Sequence, residues 1–264
     1  MYEFDYQRPT AVNDAVKIAG GDARYLAGGQ SLVQAMKLRM ASASTLVDLG
    51  GMPDLRFIKV DGNTVTIGAM TTHATVARSS EVIAAIPALA ELAGSIGDPM
   101  VRNLGTIGGS VANADPAACY PSAVLALDAT IQTNQRTLPA EGFFKGLFET
   151  ALEAGEMIVS ISFPIVRAAS YQKLRQPASR FALVGVFVAN GAAGPRVAVT
   201  GAASHAFRVT EMEAALAKSF TPDAIAGIKV PAAGLNGDIH GSAEYRAAMI
   251  TVLAQRGVAA ALAR

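Results

Sequence analysis

Ala23-Arg24-Tyr25-Leu26-Ala27-Gly28-Gly29-Gln30-Ser31-Leu32 is the stretch whose reading sets the architecture of this chain. Ala23–Leu26 is a short β-rich segment, and Leu32–Met40 has the spacing of a helix, with Leu32, Ala35, Met36 and Met40 near one face. Between them lies the glycine-rich turn Ala27–Ser31. Glycine lets a backbone approach a ligand with no side chain in the way, and amides at the start of a helix attract an anion. Ser31 adds a hydroxyl donor. Such a turn suits a phosphate; it is equally read as an ordinary tight turn with Ser31 as a structural helix cap.

On either side of this turn, Thr10 reads as the cap of a helix over Ala11–Ala19 that Gly20 and Gly21 end, and Thr45–Leu49 is β-rich. The opening residues therefore read β–loop–α–β, a unit that suits a small mixed sheet. Asp61-Gly62-Asn63, between Phe57–Val60 and Thr64–Gly68, signals a hairpin, and Ala129–Thr133 with Thr137–Ala140 signals another. Thr72–Arg78 and Ser80–Ser95 look helical, with Pro87 as a kink or break. Ser122–Leu127 starts a further helix, Met157–Pro164 is a strand, and Val166–Ala169 is a plausible boundary. The remainder reads as strands at Tyr171–Leu174, Phe181–Asn190 and Arg196–Gly201, then helices near Thr210–Lys218 and Tyr245–Ala263. Strands followed by helices give an α+β class.

The chain has 264 residues, which predicts two compact units. Hydrophobic residues make up 51% and charged residues 16%, ample for a core and unlike a disordered chain. A net charge of +1 with no block of like charge gives no reason to expect nucleic acid, and no apolar stretch is long enough for a membrane span. The N-terminus has no signal-peptide pattern, so a cytoplasmic location is the expectation. Cys119 is the only cysteine and the three histidines are far apart, so this chain by itself is expected to hold neither a metal nor an iron–sulfur cluster.

A second glycine-rich stretch, Gly105-Thr106-Ile107-Gly108-Gly109-Ser110, runs into Val111-Ala112-Asn113-Ala114-Asp115-Pro116. Neither turn is a G-x-G-x-x-G fingerprint or a G-x-x-x-x-G-K-[ST] loop. Two separate turns suit an extended ligand with a central pyrophosphate, such as a dinucleotide. Asp115 is then a candidate acceptor for a ribose hydroxyl, or simply an Asx turn or cap before Pro116.

At this point the sequence becomes recognisable. Ala27–Leu32, then Ile67-Gly68-Ala69-Met70-Thr71-Thr72-His73, then Gly97–Pro116 resemble, in the same order, the FAD-binding medium subunit of the molybdenum hydroxylases, the family of carbon monoxide and xanthine dehydrogenases. The resemblance implies a vanillyl-alcohol-oxidase-like (PCMH-type) FAD-binding domain over residues 1–166, in two subdomains of about 1–54 and 55–166, followed by a smaller α+β C-terminal domain over 167–264. It implies FAD contacts from Leu26, Ala27, Gly28, Gly29, Gln30, Ser31 and Leu32. It places Met70, Thr72 and His73 beside the cofactor. Gly105, Thr106, Ile107, Gly108, Gly109, Ser110, Asn113 and Asp115 complete the cradle. Ile158 and Val159 correspond to an apolar contact with the flavin, and Lys173 to a lysine near it, the alternative being a solvated strand lysine. Cys119 stands where many relatives carry Asp, which puts that contact in doubt and leaves Cys119 as a small buried residue.

The same resemblance implies a redox subunit with no catalytic residue of its own. Electrons would arrive from [2Fe–2S] clusters on a small subunit, after oxidation of substrate at a large molybdopterin subunit, in a dimer of heterotrimers. They would leave to NAD, a quinone or oxygen. The alternatives are a free-standing flavin oxidoreductase and a non-redox nucleotide-binding protein.

Overall fold

The computed structural model describes residues 1–264 and arranges their strands in four sheets. The first sheet has Thr45–Asp48 in the middle, with Asp5–Gln7 and Arg24–Leu26 parallel on either side. Parallel neighbours need crossovers, and the helices Val12–Ile18 and Leu32–Lys37 lie in them. Asp5–Gln7 escapes sequence reading because all of its residues are exposed and no alternation marks it. Ala11, not Thr10, occupies the cap position of the first helix, with no side-chain cap. The second helix stops at Lys37 rather than Met40, because Arg39 adopts φ +59° and turns Leu38 and Met40 into solvent.

The second sheet runs Ile58–Asp61, Thr64–Gly68, Ile158–Pro164, Thr130–Thr133, Thr137–Pro139, antiparallel throughout. Both expected hairpins are present, and the strand at 158–164 pairs between them. Ile161 faces Ile67 on one side and Ile131 on the other, and all three are fully buried. Replacing Ile161 with valine removes one methylene from this row and should lower stability by about 1 kcal/mol in chemical denaturation. An unchanged denaturation midpoint would show that the row relaxes freely.

Helices cover this sheet. Pro87 splits the expected 80–95 helix into Ser80–Ala85 and Pro87–Gly94. The glycine-rich stretch from 97 conceals two further helices, Pro99–Leu104 and Ile107–Asn113, and the next helix, Tyr120–Ala126, begins two residues before the expected Ser122.

The third sheet orders Ala168–Arg175, Ala182–Gly191, Gly194–Thr200 and Phe207–Arg208 as an antiparallel meander. Side chains alternate between its two faces. Val184, Val186, Val188, Val197 and Val199 pack with Met212 and Leu216 of the helix Thr210–Lys218, and with Ile250, Leu253 and Val258 of the helix Ala243–Leu262. Phe187, Ala189 and Ala198 point the other way and join the large core that contains Ile67, Ile161 and the helix Tyr120–Ala126. The change of sheet after residue 166 is therefore bridged by one continuous core.

Candidate functional site

The turn Ala27–Ser31 emerges between the strand Arg24–Leu26 and the helix Leu32–Lys37. Gly29 has φ +70°, a conformation that favours glycine. The backbone amides of Gly28, Gly29, Gln30 and Ser31 donate to no protein acceptor. Gly28, Gly29 and Gln30 are half-buried and Ser31 is exposed, so these donors are left unspent by the chain and open to a ligand.

The second stretch behaves differently. Thr106 caps the helix Ile107–Asn113, its hydroxyl accepting from Gly109 N at 3.1 Å. Gly108 N donates to Ala69 O at 2.9 Å, Ile107 N to Thr71 O at 3.1 Å and Ser110 N to Thr106 O at 3.0 Å. In this second turn the amides of Gly105, Ile107, Gly108, Gly109 and Ser110 are spent on the chain's own fold. What it offers instead are side chains, Ser110, Asn113 and Asp115, above a glycine floor. The glycines there serve packing. A Cβ on Gly108 would stand 2.5 Å from Ala69 Cβ, and one on Gly105 would stand 2.6 Å from His73 Nε2.

The two turns touch. A Cβ on Gly28 would fall 2.0 Å from Leu104 O and 2.8 Å from Gly105 Cα, and one on Gly109 would lie 3.1 Å from Ala27 Cβ. Thr71-Thr72-His73 seats the second turn from the other side, since His73 N donates to Gly105 O at 2.9 Å and Thr72 bridges Thr106. Three motifs separated in sequence therefore meet along one cleft of about 490 Å³.

Most of the expected residues line that cleft: Ala27 to Leu32, Met70, His73, Gly105, Thr106, Gly108 to Ser110, Asn113, Asp115, Cys119, Ile158 and Lys173. Leu26, Thr72, Ile107 and Val159 do not. Leu26 packs with Met36 and Leu46; the Thr72 hydroxyl caps the helix His73–Arg78; Ile107 is fully buried in the large core; Val159 packs beside Met157 and Met70.

His73 is 5% exposed, with Nδ1 buried and without a hydrogen-bond partner. Burial, with Arg102 nearby, lowers its pKa to about 4, so the imidazole is neutral near pH 7. Asp115 combines both readings given to it: one carboxylate oxygen accepts from Ala117 N at 2.9 Å as an Asx turn, and the residue also lines the cleft. Burial raises its pKa, opposed by that backbone hydrogen bond. Lys173 is not a solvated strand lysine. Its ammonium donates to Ser95 O at 3.2 Å and Cys119 Sγ at 3.3 Å, with no carboxylate in reach, so its charge is available to the cleft.

Sequence reasoning missed other walls of the cleft. Tyr25 donates to Gly155 O at 2.8 Å and thereby fixes the Gly155–Met157 wall. Ser179, Arg180 and Phe181 arrive from the turn after the strand Ala168–Arg175. No motif or spacing marks these residues, because only the packing of the third sheet brings them in.

The cleft thus brings together the unspent amides of Gly28–Ser31, the glycines Gly105, Gly108 and Gly109 and the Lys173 ammonium. Free backbone amides at the start of a helix suit an anionic group such as a phosphate. Residues 2–166 match the family described as the FAD binding domain in molybdopterin dehydrogenase, and the chain belongs to that family. It is 37% identical to the carbon monoxide dehydrogenase medium chain of Hydrogenophaga pseudoflava, over 99% of this chain and 98% of that protein. It is 34% identical to the nicotine 6-hydroxylase medium subunit of Paenarthrobacter nicotinovorans, over 98% and 97%. Its fold superposes on that of a reconstituted CO dehydrogenase from Oligotropha carboxidovorans with a TM-score of 0.92, at 32% identity, over 100% of this chain and 99% of the other.

Proposed function

We propose that this chain carries FAD in the cleft and serves as the electron-transfer subunit of a molybdenum hydroxylase. The observation that carries the reading is the set of unspent amides at Gly28–Ser31, in a chain of an FAD-binding family. Bound FAD supplies a carrier that takes electrons singly and releases them in pairs.

The chain's own residues then have distinct tasks. The amides of Gly28–Ser31 hold the pyrophosphate. The Ser110 and Asn113 side chains flank it, and the free carboxylate oxygen of Asp115 accepts a hydroxyl of the ribose or ribityl chain. Ile158 gives an apolar wall. Lys173 places its charge at the polar edge of the ring system, and Cys119 holds that ammonium where many relatives would use a carboxylate. Neutral His73 is a polar neighbour that leaves the local charge unchanged. Residues 1–166 act as a two-part PCMH-type binding domain and 167–264 as the C-terminal domain that closes one end of the cleft.

A single cysteine cannot ligate a [2Fe–2S] cluster. Electrons therefore come from a small iron–sulfur subunit, itself fed by a large molybdopterin subunit, in a dimer of heterotrimers in the cytoplasm. No helix of this chain is long and apolar enough to cross a membrane. Relatives of similar identity act on carbon monoxide and on nicotine, which fits a substrate pocket on another chain.

Purification with the copurifying chains should give a complex that absorbs as a flavoprotein and releases about one FAD per copy of this chain on denaturation, with molybdenum and iron on the other subunits. A complex that contains those subunits but releases no flavin would refute the reading.

A further inference from the structure

Residues 115–119 follow the helix Ile107–Asn113 and give the cleft two of its walls, Asp115 and Cys119. The segment is closed on itself. Ala117 N donates to the Asp115 carboxylate at 2.9 Å, and Ala118 N donates to Asp115 O at 2.9 Å. These two bonds make Asp115–Ala118 one unit, so whatever orients the turn also orients the Asp115 carboxylate.

The turn is gripped from the third sheet. Lys173, Gly185 and Thr200 stand opposite one another on three neighbouring strands, so they share one face. The two ends of this row reach the segment. Lys173 donates to Cys119 Sγ at 3.3 Å. Thr200 is fully buried, and its single hydroxyl hydrogen is shared between Ala118 O at 2.6 Å and Pro116 O at 2.8 Å. Gly201 N adds a donor to Pro116 O at 2.7 Å, whereas Ala118 O accepts only from Thr200. Arg246, 3% exposed, holds this end of the sheet in turn, donating to Gly201 O at 3.0 Å and Leu183 O at 2.7 Å. Thr200 itself does not line the cleft.

We infer that Thr200 is a positioning residue for the cofactor, acting through Asp115; the inference rests on the FAD reading above. Without the hydroxyl, Ala118 O loses its donor and the turn is held at Pro116 alone, by Gly201 N. The unit Asp115–Ala118 is then free to pivot about that point, and the free carboxylate oxygen of Asp115 leaves the position from which it meets a hydroxyl of the cofactor. An unmade hydrogen bond in the third sheet is thereby felt as lost affinity in a cleft that the side chain never touches.

The test is a titration of the purified complex, stripped of flavin by chaotropic salt, with FAD. Binding is read from quenching of flavin fluorescence under native conditions, and folding from urea midpoints. Thr200→Val keeps the shape of the side chain, deletes the donor and should weaken FAD binding roughly tenfold. Thr200→Ser keeps the donor and should bind within about twofold of wild type. A purely structural role would lower the urea midpoint of the valine variant and leave the affinity of its folded form alone. Thr200→Ala makes the same deletion without a methyl facing Ala118 O, and carries the test should the valine variant fail to fold. Because Thr200 acts through Asp115, Thr200→Val should cost no further affinity in an Asp115→Ala background. Wild-type affinity in the apolar variants, a serine variant as weak as they are, or additive losses in the double variant overturns the positioning role alone. A wild-type complex that takes up no FAD defeats the cofactor reading itself.

Discussion

Gly28→Val should abolish FAD retention while leaving a folded chain. The reason is local geometry rather than a direct clash with ligand. A Cβ at this position would be 2.0 Å from Leu104 O and 2.6 Å from Leu104 C, far inside van der Waals contact with backbone that has no rotamer to escape into. The two turns must part by more than an ångström, and the four amides at Gly28–Ser31 move with them. Leu104 ends an exposed helix, and no residue of Pro99–Leu104 is buried, so the displacement spreads into solvent-facing structure and spares the core. Flavin content of the purified complex, with circular dichroism as a control for folding, checks this. Full flavin content in the variant would mean that the contact between the turns does not shape the cofactor site.

Glu156→Gln should destabilise the chain by roughly 1.5–3 kcal/mol at pH 7, the range for hydrogen bonds to a charged group. The Glu156 carboxylate is buried and four donors converge on it. Arg136 grips both oxygens, with Nε at 3.0 Å and Nη2 at 2.9 Å, the Thr133 hydroxyl reaches one oxygen at 2.7 Å, and Glu153 N reaches the other at 2.8 Å. These contacts, the Arg136 hydrogen bond first among them and desolvation opposing, lower its pKa from the ordinary 4.5 to about 2. A carboxylate with a depressed folded pKa contributes stability that is fully present above its unfolded value and lost as the pH falls through the folded one. The wild type should therefore lose this contribution between about pH 5 and pH 2, while the glutamine variant starts lower and falls less over that window. Urea midpoints measured from pH 7 down to pH 2.5 would show the two curves converging. Parallel curves would mean that other carboxylates govern the acid transition. Gly155, Glu156 and Met157 line the cleft, so flavin binding should weaken along with stability.

Much of the fold is legible in the sequence where the signal is local. Asp61-Gly62-Asn63 announces its hairpin because the turn needs the positive φ that Gly62 adopts, and Pro87 breaks its helix because it cannot donate a backbone hydrogen bond. Asp5–Gln7 is hidden because a fully exposed strand carries no periodicity and is defined only by pairing with Thr45–Val47. Gly97–Pro116 misleads for another reason. Its glycines suggest an open loop, yet Gly105 and Gly108 are there to let helices and His73 approach. The site follows the same division. The turn at Ala27–Ser31 is readable from residue types alone. Ser179, Arg180, Phe181 and Tyr25 join the cleft through packing, and Lys173 meets Cys119 across the gap between a strand and a helix start, a relation that sequence spacing cannot express.

Phe187, Ala189 and Ala198 bind the third sheet into the same core as Ile67 and Ile161. This has a practical reading for anyone who would move the cradle into another redox chain. A cut after Pro164 separates a module that looks complete on paper, but it bares the apolar face of the helix Tyr120–Ala126 and removes Lys173 and Phe181 from the far wall. The transplantable unit is the whole chain, because residues on either side of that cut share one core.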